Sequence, residues 1–324
     1  MKAKTEARGL AARLETWFAK AKRDMPWRRD VTPYACWLSE IMMQQTTYGG
    51  VLGHYARFRR TFPTVEALAA ADEGAVLKAW EGLGYYARAR NLLKAAKRIV
   101  AEGWPSTLDG WRSLPGVGPY TAAALASVLN GVRASVVDGN VARVFARHWA
   151  LPDDFHAQGA REKLARRLDR EIARAKVPGD FNQAMMELGA LVCTPASPAC
   201  AACPLARSCA ARKTGRQGDF PVRPPRKALP VRTGAAVLVT DGEGRVLLVQ
   251  NREGGLLRGL WELPTLSHAM DYGQTFSHFR LDLSVERARA GARFVDPSSV
   301  ALTTATRKIL AALLPRREGK EGQP

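Results

Sequence analysis

Long apolar runs and a signal-like beginning are missing from this sequence of 324 residues. It contains no stretch of about 18 consecutive apolar residues, so no membrane-spanning helix is expected. The N-terminal segment MKAKTEARGLAARLETWF carries charges throughout and has no apolar core of a secretory signal. We therefore expect an intracellular, cytoplasmic protein.

Acidic residues are scarce. Asp and Glu together number 30 against 49 Lys and Arg, which gives a formal net charge of +19. Such an excess attracts polyanions, chiefly nucleic acid, because binding releases the counterions of the phosphate groups. A basic proteome from a GC-rich genome would produce the same excess, so charge alone does not decide between the two explanations.

Cysteine is also rare, and four of the five cysteines fall in one short stretch. Cys193, Cys200, Cys203 and Cys209 have the spacing C-x6-C-x2-C-x5-C, which is not the distributed pattern of a secreted disulfide framework. Four thiolates within one loop suit an iron–sulfur cubane or a tetrahedral metal such as zinc. Cys36 lies in an apolar helical pattern and is expected to be a core residue.

The spacing of apolar residues predicts helices from residue 10 to about 212, where they recur every three or four positions. Thr32-Pro33 is a helix start that opens YACWLSEIMMQQT. Another helix is predicted to begin at Pro119 and to end near Asn130-Gly131. Two more are predicted at Tyr85–Val100 and Phe181–Cys193.

A different organisation follows this helical part. Residues 213–231 are basic and contain several Pro, as in an extended linker. The segments AAVLVT, RVLLVQ and FRLDLSV then alternate with period two and predict strands of a small α+β domain over 232–315, with a turn at Asp241-Gly242. Residues 316–324 are expected to form a disordered tail.

Two glycines precede an alanine-rich helix in the segment RSLPGVGPYTAAALASVL. Gly116 and Gly118, which flank Val117, permit a tight turn between helices. Such a turn exposes successive backbone N–H groups beside the N-terminus of the helix that begins at Pro119, and this array can bind a phosphate. A plain helix–helix turn is the alternative explanation of the same residues.

Several motifs together resemble one family. The cysteine spacing after FNQAMMELGA resembles the [4Fe-4S] loop of the endonuclease III superfamily of DNA glycosylases, LPGVGPYTA resembles its helix-hairpin-helix, and VVDGNVARV resembles the segment with its essential aspartate. WLSEIMMQQT and GLGYYARARNL narrow the resemblance to the MutY-type adenine DNA glycosylases.

This resemblance implies a mainly α N-terminal part, over 1–212, and a small α+β Nudix-like C-terminal domain that recognises 8-oxoguanine. The N-terminal part would comprise a six-helix barrel module, about 31–138, and a [4Fe-4S] cluster module made of 1–30 plus 139–212. The implied reaction is removal of adenine mispaired with 8-oxoguanine or guanine from double-stranded DNA. The implied protein is a monomer associated with the nucleoid.

Two carboxylates are the expected catalytic groups, since breaking an N-glycosidic bond needs a proton for the leaving base and an anion near the sugar cation. Glu40 lies in an apolar helix that would raise its pKa, and by resemblance it protonates adenine. Asp138 is expected at a helix start and by resemblance stabilises the sugar cation, with Asn140 in support. The alternatives are a buried glutamate with a local partner and a simple helix cap.

Tyr120 stands where lyase members of the superfamily have a lysine nucleophile. A phenol cannot form a Schiff base, so we expect a monofunctional glycosylase in which Tyr120 packs beside the carboxylates and hydrogen-bonds to them. Ala142 replaces a lysine that can be trapped on DNA in some relatives, which argues further against lyase activity.

The remaining predicted residues contact DNA, because the base must leave the helix before it reaches Glu40. Gln44, Gln45 and Tyr85 resemble wedge residues of the family, and Arg88 is expected on a solvated helix face near DNA. The loop TPASPA between Cys193 and Cys200 has no positive charge, which weakens the case for phosphate contacts there. The full set of predicted DNA contacts is Gln44, Gln45, Tyr85, Arg88, Gly116, Val117, Gly118, Ser277 and His278.

The C-terminal domain begins like a Nudix enzyme and then departs from it. GLWELP resembles the start of a Nudix box, yet no R-E-x-x-E-E segment follows, so a pyrophosphatase is not expected. TFSHF resembles the family loop that senses 8-oxoguanine, with Ser277 and His278 as contacts. The segment between Pro264 and Thr275 is short, so discrimination against guanine is expected to be weaker.

Two other functions remain open on sequence grounds. One is an endonuclease III-like glycosylase and lyase acting on oxidised pyrimidines. The other is an iron–sulfur DNA-binding module without catalysis. Tyr120 and the C-terminal domain argue against the first, and the pair Glu40 and Asp138 argues against the second.

Overall fold

The structure is a computed structural model, and it describes residues 9–222, 231–241, 243–251, 256–266, 272–275, 280–288 and 294–314. These residues form two compact units. The first unit contains the described residues of Met1–Gln44 and Arg98–Pro225, and the second contains those of Gln45–Lys97 and Arg226–Pro324. Each unit therefore combines segments that are distant in the chain.

Helices make up most of the N-terminal two thirds. In chain order they are α1 (Leu10–Ala21), α2 (Pro26–Arg29), α3 (Pro33–Met43), α4 (Tyr48–Thr61), α5 (Val65–Ala69), α6 (Glu73–Ala79), α7 (Ala87–Glu102), α8 (Leu108–Arg112), α9 (Pro119–Asn130), α10 (Gly139–Trp149), α11 (Gln158–Ile172), α12 (Pro178–Leu191), α13 (Ala210–Lys213) and α14 (Thr304–Leu313). The predicted bounds of α9 are confirmed. The predicted start of α3 at Pro33 is also confirmed. Among the described helices, none is both long and apolar enough to cross a membrane.

Local capping explains where the helices of the site begin. The side chain of Thr32 accepts a hydrogen bond from the backbone N–H of Ala35, and Pro33 occupies the first position of α3. α10 begins at Asp138, whose side chain accepts from the N–H of Val141. α9 ends at Gly131, which has φ 68°, a left-handed conformation that glycine adopts at low cost.

Two glycines let α12 lie close to its neighbours in the first unit. A Cβ at Gly179 would lie 2.8 Å from the Cα of Val128 on α9. A Cβ at Gly189 would lie 2.6 Å from the Cβ of Asn140 on α10. Side chains at these positions would push the helices apart, so the backbone of α12 supports the segment that holds Asn140.

The core of the first unit is apolar and extends further along the chain than expected. Its largest fully buried side chains include those of Phe18, Phe145 and Phe181, and burial of each is worth about 2–3 kcal/mol. Phe220 also belongs to this core, and Arg147 donates to its carbonyl at 3.1 Å. Packed structure therefore continues to Phe220, whereas the linker was predicted to begin at residue 213.

Strands occur in the second unit, as predicted. They are β1 (Val231–Val239), β2 (Val246–Leu247), β3 (Val249–Gln250), β4 (Trp261–Glu262), β5 (Thr265–Leu266), β6 (Tyr272–Thr275), β7 (Arg280–Ala288) and β8 (Phe294–Val295). One sheet has the order β5-β1-β7-β6, in which β1 and β7 are parallel and the other neighbours antiparallel. β2 pairs with β8, and β3 with β4. In register, Val231 lies opposite Arg280 and Ala235 opposite Leu266.

The C-terminal part of the second unit packs against the segment between α6 and α7. The hydroxyl of Tyr86 donates to the carbonyl of Leu302 at 3.3 Å, and Glu81 accepts from the N–H of Leu302 at 3.1 Å. Lys78 donates to the carbonyl of Val300 at 2.8 Å. These bonds fix residues 300–302 against the segment that carries Tyr85.

Candidate active site

Glu40, Tyr120 and Asp138 come together in the first unit although they are far apart in the chain. Glu40 lies in the last turn of α3, Tyr120 in the first turn of α9, and Asp138 at the start of α10. The negative charges of Glu40 and Asp138 both raise the pKa of Tyr120, and the charge of Asp138 raises that of Glu40. The three side chains are therefore close enough to influence one another's protonation.

Glu40 is surrounded by protein on an apolar helix. Trp37, Leu38 and Ile41 on the same helix are buried. Burial raises the pKa of Glu40 to about 7, the charge of Asp138 adds to the rise, and Arg28 opposes it. A carboxyl group with that pKa keeps a substantial protonated fraction near neutral pH, so it can donate a proton there.

Asp138 has partners that stabilise its negative form. It accepts a hydrogen bond from the N–H of Val141 at 2.7 Å and another from the side-chain amide of Asn140 at 2.9 Å. Burial raises the pKa of Asp138, whereas these bonds and the charge of Arg143 lower it. The predicted helix cap is confirmed, and Asn140 lies beside the carboxylate as the sequence suggested.

The hydrogen bond of the Tyr120 hydroxyl is not the one that was expected. Its hydroxyl donates to the sulfur of Met186 at 2.9 Å instead of to either carboxylate. Burial, followed by the charges of Glu40 and Asp138, raises the pKa of Tyr120 well above its usual value. The phenol therefore stays neutral and adds no further negative charge to the pair.

Arg143 connects the Asp138 end of α10 to the cysteine segment, and no role was predicted for it. Its guanidinium donates to the side-chain oxygen of Asn140, to the carbonyl of Gly189 and to the carbonyl of Cys193, each at 2.8 Å. Arg143 is only 9% exposed. The sequence does contain a sign of this buried role, because Arg143 and Arg147 lie one turn apart among the apolar residues of α10.

Arg28 was also missed. It forms an ion pair of 2.7 Å with Glu187, which Arg23 contacts as well at 2.8 Å. Glu187 is almost fully buried, so its charge requires these partners. Since Arg28 also lowers the pKa of Glu40, this network sets part of the electrostatic environment of the candidate acid.

The four clustered cysteines line one cavity. Cys193, Cys200, Cys203 and Cys209 surround an empty volume of about 310 Å³ that includes solvent at its mouth. N–H groups point at three of the sulfurs: Leu205 donates to Cys203 at 3.4 Å, Arg147 to Cys193 at 3.5 Å and the side-chain amide of Gln217 to Cys200 at 3.8 Å. Cys36 is buried elsewhere, on α3, as predicted.

The glycine turn before α9 retains only part of its predicted array of donors. Gly116 has φ 80°, and nothing lies within 4 Å of a Cβ built on Gly118. The N–H of Val117, however, donates to the carbonyl of Leu114 at 3.1 Å, so the turn itself uses this donor. Gln44 donates to the carbonyl of Gly116 at 3.2 Å and so braces the turn.

The other predicted DNA contacts lie in the second unit. Gln45 and Tyr85 have left-handed backbones, with φ 56° and 49°. Arg88 is 8% exposed instead of lying on a solvated face, because its guanidinium donates to main-chain carbonyls inside the unit. Burial lowers the pKa of Arg88 to about 10, so it stays charged at neutral pH. Ser277 and His278 lie outside the described residues.

Comparison with known proteins identifies the family. Residues 38–170 match the model of the HhH-GPD superfamily of base excision DNA repair proteins. The adenine DNA glycosylase of Schizosaccharomyces pombe is 30% identical, over 88% of this chain and 74% of that protein. That of Buchnera aphidicola subsp. Acyrthosiphon pisum is 31% identical, over 76% of this chain and 71% of that protein. The chain belongs to the adenine DNA glycosylase family.

Other family members are longer. The human adenine DNA glycosylase is 36% identical over 81% of this chain, and the match spans 58% of the human protein. The chain therefore spans about three fifths of the length of this relative.

Solved structures show an endonuclease III-like fold in the matched part. A thermostable thymine-DNA glycosylase has a TM-score of 0.56 at 25% identity, with 66% of this chain and 98% of that chain covered. A non-covalent endonuclease III–DNA complex has a TM-score of 0.54 at 23% identity over the same shares. The mainly helical prediction for this part is therefore confirmed.

Proposed function

We propose that the chain is a DNA glycosylase of base excision repair that removes adenine mispaired with 8-oxoguanine, or with guanine, from double-stranded DNA. The observation that carries this proposal is the pairing of Glu40, whose pKa burial raises to about 7, with Asp138, whose carboxylate accepts two hydrogen bonds. The names of the related enzymes support adenine as the base removed.

Glu40 and Asp138 have complementary roles in this proposal. Glu40 gives its proton to N7 of the flipped adenine, the bond between C1′ and N9 breaks, and its electron pair leaves with the base. Asp138 stabilises the oxocarbenium-like sugar cation by its negative charge. Water then adds to C1′ and releases a proton, so the strand keeps an abasic site.

Tyr120 limits the enzyme to this one step. Its neutral phenol lies beside the carboxylates and offers no amine that could form a Schiff base with the sugar. Ala142 offers none either. The proposed enzyme is therefore monofunctional, and it leaves the phosphodiester backbone intact.

The four clustered cysteines are proposed to hold a [4Fe-4S] cluster. They line a single cavity, while within the described residues no group of three or more His, Cys, Asp or Glu side chains could hold one metal ion. Four thiolates could also bind zinc, and it is the resemblance of their C-x6-C-x2-C-x5-C spacing to the cluster loop of the endonuclease III superfamily that favours the cluster. When bound, the cluster supplies structural order to residues 193–209 and no hydrolytic chemistry.

DNA binding in this proposal uses residues of the helical N-terminal part and of the C-terminal domain. Gly116 and Gly118 approach a phosphate at the start of α9, and Gln44, Gln45 and Tyr85 fill the space left by the flipped adenine. A Nudix-like C-terminal domain recognises 8-oxoguanine through Ser277 and His278. The six-helix barrel module, the monomeric state and a cytoplasmic, nucleoid-associated location are parts of the same proposal.

Single-turnover release of adenine tests the proposal. Duplexes with adenine opposite 8-oxoguanine, guanine or thymine are compared for the wild type, Glu40→Gln and Asp138→Asn. The first two duplexes should lose adenine, and both substitutions should stop release while DNA affinity stays unchanged. Glu66→Gln, which alters an exposed carboxylate on α5, is the matched control and should behave as the wild type.

The same assay separates the alternatives. A covalent adduct trapped at high yield by borohydride would favour an endonuclease III-like glycosylase and lyase. Tight binding without base release from any of the three duplexes would favour a DNA-binding module without catalysis.

A further inference from the structure

Gln45 and Tyr85 share an unfavourable backbone conformation. Their φ angles of 56° and 49° lie in the left-handed region, where the Cβ of a residue other than glycine crowds a carbonyl oxygen. Ala150 is the one further example among the described residues, and it ends α10 as a helix cap. Such strain persists only where the surrounding structure holds it in place.

Arg88 contacts residues next to both of these left-handed positions. Its Nη2 donates to the carbonyls of Leu83 at 3.0 Å and Gly84 at 3.2 Å, the two residues that precede Tyr85. The same nitrogen lies 3.4 Å from the hydroxyl oxygen of Thr46, the residue that follows Gln45. One guanidinium therefore joins the segment before Tyr85 to the segment after Gln45, and Arg88 and Thr46 are 42 positions apart in the chain.

Two aromatic rings hold the guanidinium of Arg88. Its central carbon lies 5.3 Å from the ring centroid of Trp80 and 5.6 Å from that of Tyr85. Trp80 is itself fixed, because it is fully buried and its indole N–H donates to the carbonyl of Gly84 at 3.1 Å. Arg88 thus links the ring of Tyr85 to the buried ring of Trp80.

We infer that Arg88 is a positioning residue that holds Gln45 and Tyr85 in their left-handed conformations and so shapes the wedge that enters a mispaired duplex. This inference rests on the proposed function for the role of the two wedge residues. Arg88 is buried, so it acts through them and not through a phosphate. It should therefore affect recognition of a mispair more than affinity for DNA in general.

The chemistry of the contacts requires arginine and not merely a positive charge. A planar guanidinium can stack between two rings while its N–H groups reach several oxygens, whereas a lysine ammonium is a compact charge on a flexible stem. Arg88→Lys should therefore recover little of the function lost in Arg88→Met. Lys97→Met, which removes an exposed charge from the same helix, is the matched control.

The test measures single-turnover adenine release and equilibrium affinity for mispaired and fully paired duplexes, with chemical unfolding as a check on folding. Arg88→Met should lower both the release rate and the preference for the mispair by about tenfold or more, and leave affinity for paired DNA within about twofold. In a Tyr85→Gly background, where glycine tolerates the backbone and no ring remains, Arg88→Met should add less than about threefold.

Two results would overturn the inference: effects of Arg88→Met no larger than those of Lys97→Met, or equal effects with and without Tyr85→Gly. If Arg88→Met does not fold, Arg88→Lys is measured in the same way with the same expectations. Absence of adenine release by the wild type would contradict the proposed function, and the preference for mispaired duplexes would still test Arg88.

Discussion

The side-chain amide of Asn140 donates to one oxygen of Asp138 at 2.9 Å, while the N–H of Val141 donates to the other at 2.7 Å. Glu40, in contrast, has no hydrogen-bond partner within the part of the chain that the structure describes. Hydrogen bonds to the charged form favour ionisation, whereas burial without them favours the neutral acid. Burial raises the pKa of both acids, and hydrogen bonds oppose the rise at Asp138, so Asp138 should ionise at lower pH than Glu40.

Removing the amide of Asn140 should weaken this division. In Asn140→Leu the carboxylate of Asp138 loses a donor, so its pKa rises and less of it is ionised at neutral pH. We expect single-turnover adenine release at pH 7 to fall by about 10- to 100-fold, which corresponds to one hydrogen bond to a charged group. Asn91→Leu on α7 provides a control for the loss of an amide. An unchanged rate in Asn140→Leu would show that Asp138 does not depend on this bond.

The pH dependence of adenine release should report Glu40. Its pKa of about 7 lies above the usual value, so the acid is protonated below about pH 7 and the rate should fall as pH rises through that value. Arg28 lowers this pKa, so Arg28→Met should move the midpoint to higher pH. Single-turnover rates between pH 5.5 and about 9 measure both midpoints. A wild-type rate that stays constant across this range would exclude Glu40 as the proton donor.

Part of the site could be predicted because it depends on local sequence. Thr32-Pro33 starts α3 and Asp138 starts α10 through hydrogen bonds within three residues, and short motifs contain this information. Glu40 could be selected because apolar neighbours on its own helix indicate desolvation. The strand segments could be located from their period of two.

Arg143 was missed and Arg88 was expected on a solvated face, because the contacts of both side chains form only in the folded chain. Arg143 bonds to Cys193 and Gly189, and Arg88 to Leu83 and Thr46. An arginine on a helix usually indicates a solvated face, and only tertiary packing brings main-chain carbonyls to it. The N–H of Val117 was expected to be available for a phosphate. It donates instead to the carbonyl of Leu114 within the turn.

His148 should make stability depend on pH. It is 5% exposed, and burial, followed by the charges of Arg13 and Arg167, lowers its pKa to about 4 from 6.5. The unfolded chain then binds the proton more readily, so stability is complete above about pH 6.5 and is lost as pH falls toward 4. From pH 7.5 to 5 we expect this group to remove about 2 kcal/mol from the free energy of unfolding.

Unfolding by urea at the two pH values measures this effect. His148→Phe should reduce the pH dependence by that amount, since the phenyl ring replaces the titrating group beside Phe145. His156→Gln, which removes an imidazole at an exposed position, is the matched control variant. Equal pH dependence in the wild type and His148→Phe would mean that the pKa of His148 is the same in the folded and unfolded chain.

A methyl group added at Gly189 should damage both stability and activity. Its Cβ would lie 2.6 Å from the Cβ of Asn140 and 3.0 Å from that residue's backbone, so α12 must move away from α10. Overpacking of this kind costs about 1–3 kcal/mol. The displacement also moves Asn140 relative to Asp138, so adenine release should fall more than the folded fraction does.

Gly159→Ala provides the matched comparison, because Gly159 also lies in a helix but nothing is within 4 Å of its added Cβ. Alanine is the better helix former there, and this variant should be more stable by about 0.5–1 kcal/mol with an unchanged rate. Chemical unfolding and single-turnover assays on both variants decide the point. If Gly189→Ala were as active as Gly159→Ala, the close approach of α12 to α10 would not be what holds Asn140 against Asp138.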